Sequence, residues 1–318
     1  WGADAAASVR FVGRLARRVL TTRQWQVARL PVETWRPSAR LTAPLHWRSA
    51  PNDNFWADPH VVVDEGRAWM LVEELDMAVG RGAIRLLEVI GDDVAPHGIL
   101  LRTRHHLSYP QTYRTAQGWL GTVETCAAHN PVYTFDRLGA PWRPAQGLPP
   151  LPPHLADPVL LLDGGQVTGV LGTDARVDPD SVVVRFDLDR SAGRWRRDDA
   201  SVRVSVINGR GGGTLDVRRG LRATQDCAGV YGRALEIIDY PETDPPNVRW
   251  RLDGQEFGPG PDADGRRQGG MHTLTWADGA GPNGDEVVAW CDGWHIRATP
   301  RGWLLDLRER QHLDECEG

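Results

Sequence analysis

The alternation of apolar and polar positions changes character near residue 45. Ahead of it, residues 5–20 (AAASVRFVGRLARRVL) place Phe11, Val12, Leu15, Ala16 and Val19 on one face at helical spacing, and Arg10, Arg14, Arg17 and Arg18 on the other. This predicts a basic amphipathic helix, which either packs on its own domain or lies against a membrane surface or an acidic partner. Beyond residue 45 short β-type runs alternate with turn residues, as in 60–75 (HVVVDEGRAWMLVEEL), 111–125 (QTYRTAQGWLGTVET), 159–172 (VLLLDGGQVTGVLG) and 286–307 (EVVAWCDGWHIRATPRGWLLDL). Strand, turn such as Asp64-Glu65-Gly66 or Asp163-Gly164-Gly165, and second strand read as hairpins. No helical period continues through this part, so the body of the chain is expected to be all-β.

The hairpins recur. Ala57-Asp58-Pro59, Ser108-Tyr109-Pro110 and Ala156-Asp157-Pro158 open the first three, Gln225-Asp226-Cys227 a fourth and Met271-His272-Thr273 a fifth. Successive steps between Asp58, Tyr109, Asp157, Asp226 and His272 are 51, 48, 69 and 46 residues. A period near 50 residues in an all-β chain predicts a five-bladed β-propeller over 46–318, with 1–45 as an N-terminal amphipathic helix and lead-in. The long third step contains Asn208-Gly209-Arg210-Gly211-Gly212-Gly213, read as a loop insertion. If the first strand of each blade lines the central channel, the five opening residues converge on one axial pocket.

Composition narrows the chemistry. All 37 basic residues among the 318 are arginine, which removes Schiff-base and P-loop lysine chemistry. A net charge of −5 argues against a nucleic-acid partner. No apolar run approaches the ~20 residues of a membrane-spanning helix. Cys126, Cys227, Cys291 and Cys316 show no C-x-x-C spacing, which suggests free thiols and a cytoplasmic setting. Only one opening carries histidine, and the adjacent His105-His106 would diverge on a strand, so neither a transition metal nor a cofactor is expected. A calcium or sodium ion in the channel stays open.

Carboxylates gathered around a narrow channel push one another's pKa values apart, so that one can hold a proton while another stays ionised. Asp58, Asp157 and Asp226, with Glu124, are therefore the candidate catalytic acids, suited to acid/base work at a glycosidic or other acetal carbon. Candidates for binding a sugar or other small substrate are Trp56, Glu73, Tyr109, Arg222, Gln225, Tyr231 and His272. Each has a plainer role open to it: Arg222 as the ion-pair partner of a pocket acid, His272 as a core histidine, most tryptophans as packing between blades.

This layout resembles the five-bladed propellers of glycoside hydrolase families 43 and 32, which take three acids from blades one, three and four. By that resemblance Asp58 would be base or nucleophile, Asp157 the residue that stabilises positive charge and tunes pKa, and Asp226 the acid. The families usually carry Glu at the last position. Asp is shorter by about 1.5 Å, which displaces the proton donor. A closer ordered series is Phe55-Trp56-Ala57-Asp58-Pro59 with Glu73-Glu74, His106-Leu107-Ser108-Tyr109-Pro110 with Glu124-Thr125, Gln225-Asp226-Cys227 with Tyr231-Gly232, then His272-Thr273. It resembles the propeller domain at the N-terminus of glucosamine inositolphosphorylceramide transferase, whose relatives also stand alone in bacteria. The expected function is thus a glycoside-hydrolase-like enzyme. The alternatives are a biosynthetic cyclase or isomerase that reuses the acids on a non-sugar substrate, and a non-catalytic sugar-binding module.

Overall fold

The computed structural model describes residues 21–31, 45–52, 54–125, 129–178, 180–243, 245–259, 269–280 and 286–298; the helix expected over 5–20 lies outside them. In chain order the strands are β1 (Thr21–Leu30), β2 (Trp47–Arg48), β3 (Phe55–Asp64), β4 (Arg67–Asp76), β5 (Arg81–Ile90), β6 (Asp93–Leu101), β7 (Ser108–Thr115), β8 (Gly118–Glu124), β9 (Tyr133–Phe135) and β10 (Arg143–Pro144). They continue as β11 (Leu155–Asp163), β12 (Gln166–Asp174), β13 (Val182–Asp189), β14 (Arg194–Val204), β15 (Gly211–Asp216), β16 (Leu221–Asp226), β17 (Ala234–Asp239), β18 (Val248–Asp253), β19 (Gly269–Gly270), β20 (Leu274–Ala280) and β21 (Glu286–Ala298). A single helical turn, α1 (Gly254–Phe257), follows β18. No described helix is long and apolar enough to cross a membrane.

The expected hairpins form where the turn chemistry asks for them. Glu65-Gly66 and Gly164-Gly165 both adopt positive φ at two successive residues, which matches the twist of the strands they join. Strands β3–β6, β7–β10 and β11–β14 make three four-stranded antiparallel sheets. The remaining strands follow one path, β18-β17-β16-β15-β20-β21-β1-β2, with β19 beside β21. Within it β15 meets β20 through one parallel pair, Gly213 and Leu274. The inner strands pack in sequence, β3 on β7, β7 on β11, β11 on β15, β15 on β20 and β20 back on β3, and so enclose a hub. Apolar clusters fill the spaces between neighbouring sheets, such as Val62, Leu71, Ile84 and Leu86 against Trp119, Phe135 and Trp142.

Strand β1 lies ahead of the point where the sequence texture turns β-like. It pairs antiparallel with β21 along its whole length, from Thr21 with Ala298 to Leu30 with Ala289, and buries Trp25, Val27, Ala28 and Leu30. The last sheet is therefore built from both ends of the described chain.

The fourth unit differs from the expectation. Gln225-Asp226 does not open it but ends its second strand, β16, as Glu73-Glu74 stand near the end of β4 and Glu124 ends β8. The inner strand begins instead with Gly211-Gly212-Gly213, which is β-structure and not an inserted loop. Bare backbone is needed there. A Cβ on Gly211 would stand 2.9 Å from the Asp157 Cβ, one on Gly212 2.7 Å from the Thr224 carbonyl carbon, and one on Gly213 would run into the Leu274 backbone. With Gly213 as the fourth opening, the steps from Asp157 and on to His272 become 56 and 59 residues.

Candidate active site

Three inner strands start with the same device. Register slips between Ala57 and His60, Ser108 and Gln111, and Ala156 and Val159, and the residue before each proline is left-handed: Asp58 at φ +50°, Tyr109 at +47° and Asp157 at +50°. Residues before proline favour extended backbone, and a left-handed non-glycine costs of order 1–3 kcal/mol. A bulge re-aims the side chain at its centre. In β3, β7 and β11 these central side chains are buried: Asp58, Tyr109 and Asp157.

Asp58 is held from three directions. Its Oδ1 accepts from the Thr273 hydroxyl at 2.9 Å and faces His272 Nε2 at 3.3 Å, while its Oδ2 accepts from the Tyr109 amide at 3.0 Å. The other side of His272 is fixed by Asp292: Nδ1 lies 2.6 Å from Oδ2. Asp292 also accepts the amides of Asp58 at 2.8 Å, His272 at 3.1 Å and Thr273 at 2.8 Å. Burial pushes the Asp58 carboxyl up, with His272 opposing. Burial lowers His272, but Asp292 and Asp58 outweigh it and hold the imidazole above its ordinary 6.5.

Asp157 has fewer donors. Its amide donates to Glu124 Oε2 at 2.8 Å, and Arg210 Nε stands 2.8 Å from its Oδ2. That contact is ionic: neither atom has an aligned hydrogen-bond partner among the described residues. Burial pushes the Asp157 carboxyl up to about 8, against the pull of Arg210 and with the push of Glu124 and Asp58. Arg210 also reaches Asp180 at 3.1 Å. A cavity of about 10 Å³ adjoins Asp157, lined among others by Tyr109, Gly211, Gly213 and Arg222. That is the lower limit for one water molecule. The Tyr109 hydroxyl closes one wall, accepting from the Gly213 amide at 2.8 Å and donating to its carbonyl at 3.2 Å.

Aromatic rings lead outward from His272. Trp25 stacks on it with ring centres 4.0 Å apart, and Tyr231 meets it edge-on at 5.6 Å. The Arg210 guanidinium lies 5.0 Å from the Tyr231 ring centre.

Of the residues expected at the site, Asp58, Tyr109, Asp157, Glu124, Tyr231 and His272 come together. Arg222 reaches only the wall of the cavity beside Asp157, and the others stand elsewhere. The Asp226 carboxylate is taken by Arg251 at 2.6 Å and the Ala228 amide at 2.9 Å. Trp56 does not line the hub: it packs with Val27, Met70, Val72 and Trp290 and donates to Glu74 at 3.0 Å. It stands two residues before Asp58, where regular alternation would put both side chains on one face, and the bulge after Ala57 breaks that alternation. Glu73 faces His106 at 3.3 Å. Arg222 pairs with Glu242 rather than a hub acid and donates to the Gly209 carbonyl at 3.1 Å. Gln225 donates to the Gly211 carbonyl at 2.6 Å.

The sequence reading missed Asp292, Arg210 and Trp25. A charge inside the apolar run Ala289-Trp290-Cys291-Asp292-Gly293-Trp294 was the available signal for Asp292. Asp292-Gly293 looks like a turn, yet β21 runs straight through it. Gly293 serves close packing, since a Cβ there would stand 2.6 Å from the Trp47 ring.

Asp58, His272 and Asp292 bring possible metal ligands within 4.8 Å of one another. Both Asp292 oxygens already accept N–H donors, and both Asp58 oxygens are hydrogen-bonded. A cation would have to displace donors that fix the backbone, so the set does not fit a metal.

No protein-family profile and no curated protein matches the chain. Solved structures do. RS223 β-xylosidase aligns at TM-score 0.48 and 11% identity, covering 79% of this chain and 95% of its own. The GH43_1 enzyme from Xanthomonas citri complexed with xylotriose aligns at 0.49 and 11%, covering 77% and 87%. The catalytic domain of the Coprinopsis cinerea GH62 α-L-arabinofuranosidase aligns at 0.45 and 11%, covering 75% and 90%. These are likenesses in the course of the chain, too distant to carry chemistry.

Proposed function

We propose that the chain is a carbohydrate-active enzyme of glycoside-hydrolase type, a five-bladed propeller acting at an acetal carbon through Asp157 and Asp58. The five blades follow from dividing the nine-stranded path at its single parallel pair, between β15 and β20. What supports the activity is two buried aspartates from separate sheets at one hub, where burial, then Glu124 and Asp58, push the Asp157 carboxyl up to about 8. A carboxyl that holds its proton can give it to a leaving oxygen, and a carboxylate beside it opposes the positive charge that grows on the sugar carbon. In this reading Asp157 is the acid, Asp58 the fixed negative charge or base, His272 and Asp292 orient Asp58, and Glu124 and Arg210 set the proton affinity of Asp157. Asp226, held by Arg251, takes no part.

The test is turnover of a panel of aryl pentosides and hexosides of both anomeric configurations by the wild type, Asp58→Asn and Asp157→Asn. Asparagine tolerates left-handed backbone, so Asp58→Asn removes a charge and Asp157→Asn a transferable proton without adding strain. Each is expected to lower kcat by about 10²–10⁴-fold with the melting transition still cooperative. Full activity in either variant overturns the assignment.

One observation favours a second reading, a sugar-binding module without turnover: Asp58, His272, Thr273 and Asp292 satisfy one another, and the adjoining cavity is only water-sized. It predicts sugar binding by the wild type with no panel substrate cleaved, and binding largely kept in Asp58→Asn.

A further inference from the structure

Arg23 stands exposed on β1 with its guanidinium carbon 4.8 Å from the Trp294 ring centre and 6.0 Å from that of Tyr231. No acidic side chain pairs with it among the described residues. Arg210, against the same Tyr231 ring, is different: its N–H groups are taken up by Asp157 and Asp180. A guanidinium resting on aromatic faces has its plane set by them and its N–H edge left free, which is the fork that carboxylates and phosphates accept in two parallel hydrogen bonds.

The position connects to the hub. Tyr231 touches His272 edge-on at 5.6 Å, Trp25 stacks on the same imidazole, and His272 faces Asp58. Trp25 and Trp294 are directly paired across β1 and β21, and Arg23 lies two residues from Trp25 on the same face. Arg23 is thus one ring away from the group that holds Asp58. The hub itself gathers Asp58, Asp292 and Glu124 around the single arginine Arg210, a field that repels an anion unless a further cation receives it at the mouth.

We propose that Arg23, with Tyr231 and Trp294, forms a subsite for an oxyanion on the sugar, so that the substrate is an acidic sugar bearing a carboxylate or a phosphate. The proposal rests on the reading of the hub as a sugar site and names the substrate class it takes. The anionic group sits on Arg23 and the acetal end points inward to Asp157 and Asp58.

The experiment is calorimetric binding of D-glucuronate, D-glucose 6-phosphate and D-glucose to the full chain, at low and high salt, in wild type, Arg23→Gln and Arg23→Lys. At least one of the two acidic sugars is expected to bind about tenfold or more tightly than D-glucose, as a charged hydrogen-bonded pair supplies. Which of the two is preferred separates carboxylate from phosphate. The preference is expected to weaken with salt, to vanish in Arg23→Gln and to return only in part in Arg23→Lys, which restores charge but not the fork. Arg23 is exposed, so an unchanged melting temperature in Arg23→Gln shows that the fold is intact. Equal binding of D-glucose, an acidic-sugar preference that survives Arg23→Gln, or no binding of either acidic sugar overturns the proposal. No turnover is involved. A chain that cleaves no glycoside can still pass this test, and loss of the anion preference leaves the results for Asp58 and Asp157 untouched.

Discussion

Asp157 is the residue whose ionisation the hub resists most plainly. It is buried at the start of β11, near Glu124 and Asp58, and Arg210 gives it only one long hydrogen bond, Nη2 to Oδ1 at 3.5 Å, beside the ionic contact at Oδ2. Its carboxyl is raised from an ordinary 3.8 to about 8. Between those values the folded chain binds a proton that the unfolded chain does not. The stability this contributes is therefore complete below about pH 4 and is lost as the pH rises through about 8. The raised imidazole of His272 works in the same direction, so the wild-type slope alone does not isolate Asp157. The difference between wild type and Asp157→Asn does. Melting temperatures across this range are expected to fall with pH in the wild type and to fall less in the variant, which gains on the wild type toward the alkaline end. Parallel curves would show that Asp157 is ionised throughout. At this scale the sequence was informative where a local device repeats. Asp58, Tyr109 and Asp157 each precede a proline at a strand start, and the repetition marks them. Arg210 and Asp292 repeat nothing: one is adjacent to a glycine run, the other inside an apolar strand, and only tertiary contact makes them hub residues.

At the scale of the element, β15 shows how a correct pattern can be laid in the wrong register. Glycine runs ordinarily signal loops, and Gln225-Asp226 imitates the polar openings of the first three units. The structure puts bare backbone where the first and third units place aspartate, because this inner strand passes too close to Asp157, Thr224 and Leu274 for a side chain. Periodicity could reveal hairpins and their approximate spacing, since alternation and turn residues are local. It could not reveal which strand is innermost, since that depends on neighbours distant in sequence. The strand's glycines carry a graded prediction. Gly211→Ala crowds the Asp157 Cβ at 2.9 Å and the Tyr109 hydroxyl at 3.1 Å, and is expected to cost about 1–3 kcal/mol. Gly213→Ala meets backbone that cannot give way and also forces a side chain onto φ +116°, which adds about 1–3 kcal/mol. Denaturant unfolding should therefore rank Gly213→Ala as the more damaging of the two. The reverse order would mean that the Asp157–Tyr109 wall is less yielding than the contact between β15 and β20.

For the whole molecule, the decisive feature is that the sheet carrying Asp292 is completed by the other end of the chain. β1 covers the outer edge of β21 over ten paired residues, and β20 covers its inner edge. Asp292 in turn holds the amides of Asp58, His272 and Thr273. The hub is thus coupled to closure through a single strand, and loosening β1 should be felt at Asp58 although the two are not neighbours in sequence. Leu30→Ala tests this at a position that touches none of the hub groups. Leu30 is 1% exposed in the cluster with Leu235, Leu274 and Cys291, and its truncation is expected to cost roughly 2–5 kcal/mol. If closure governs the hub, hydrogen exchange at the Asp58 and Thr273 amides should quicken by a factor that matches the global loss of stability, because those amides open only when the ring does. If they exchange as slowly as in the wild type while the β1 amides quicken, β1 frays by itself and the hub is held by its inner strands alone.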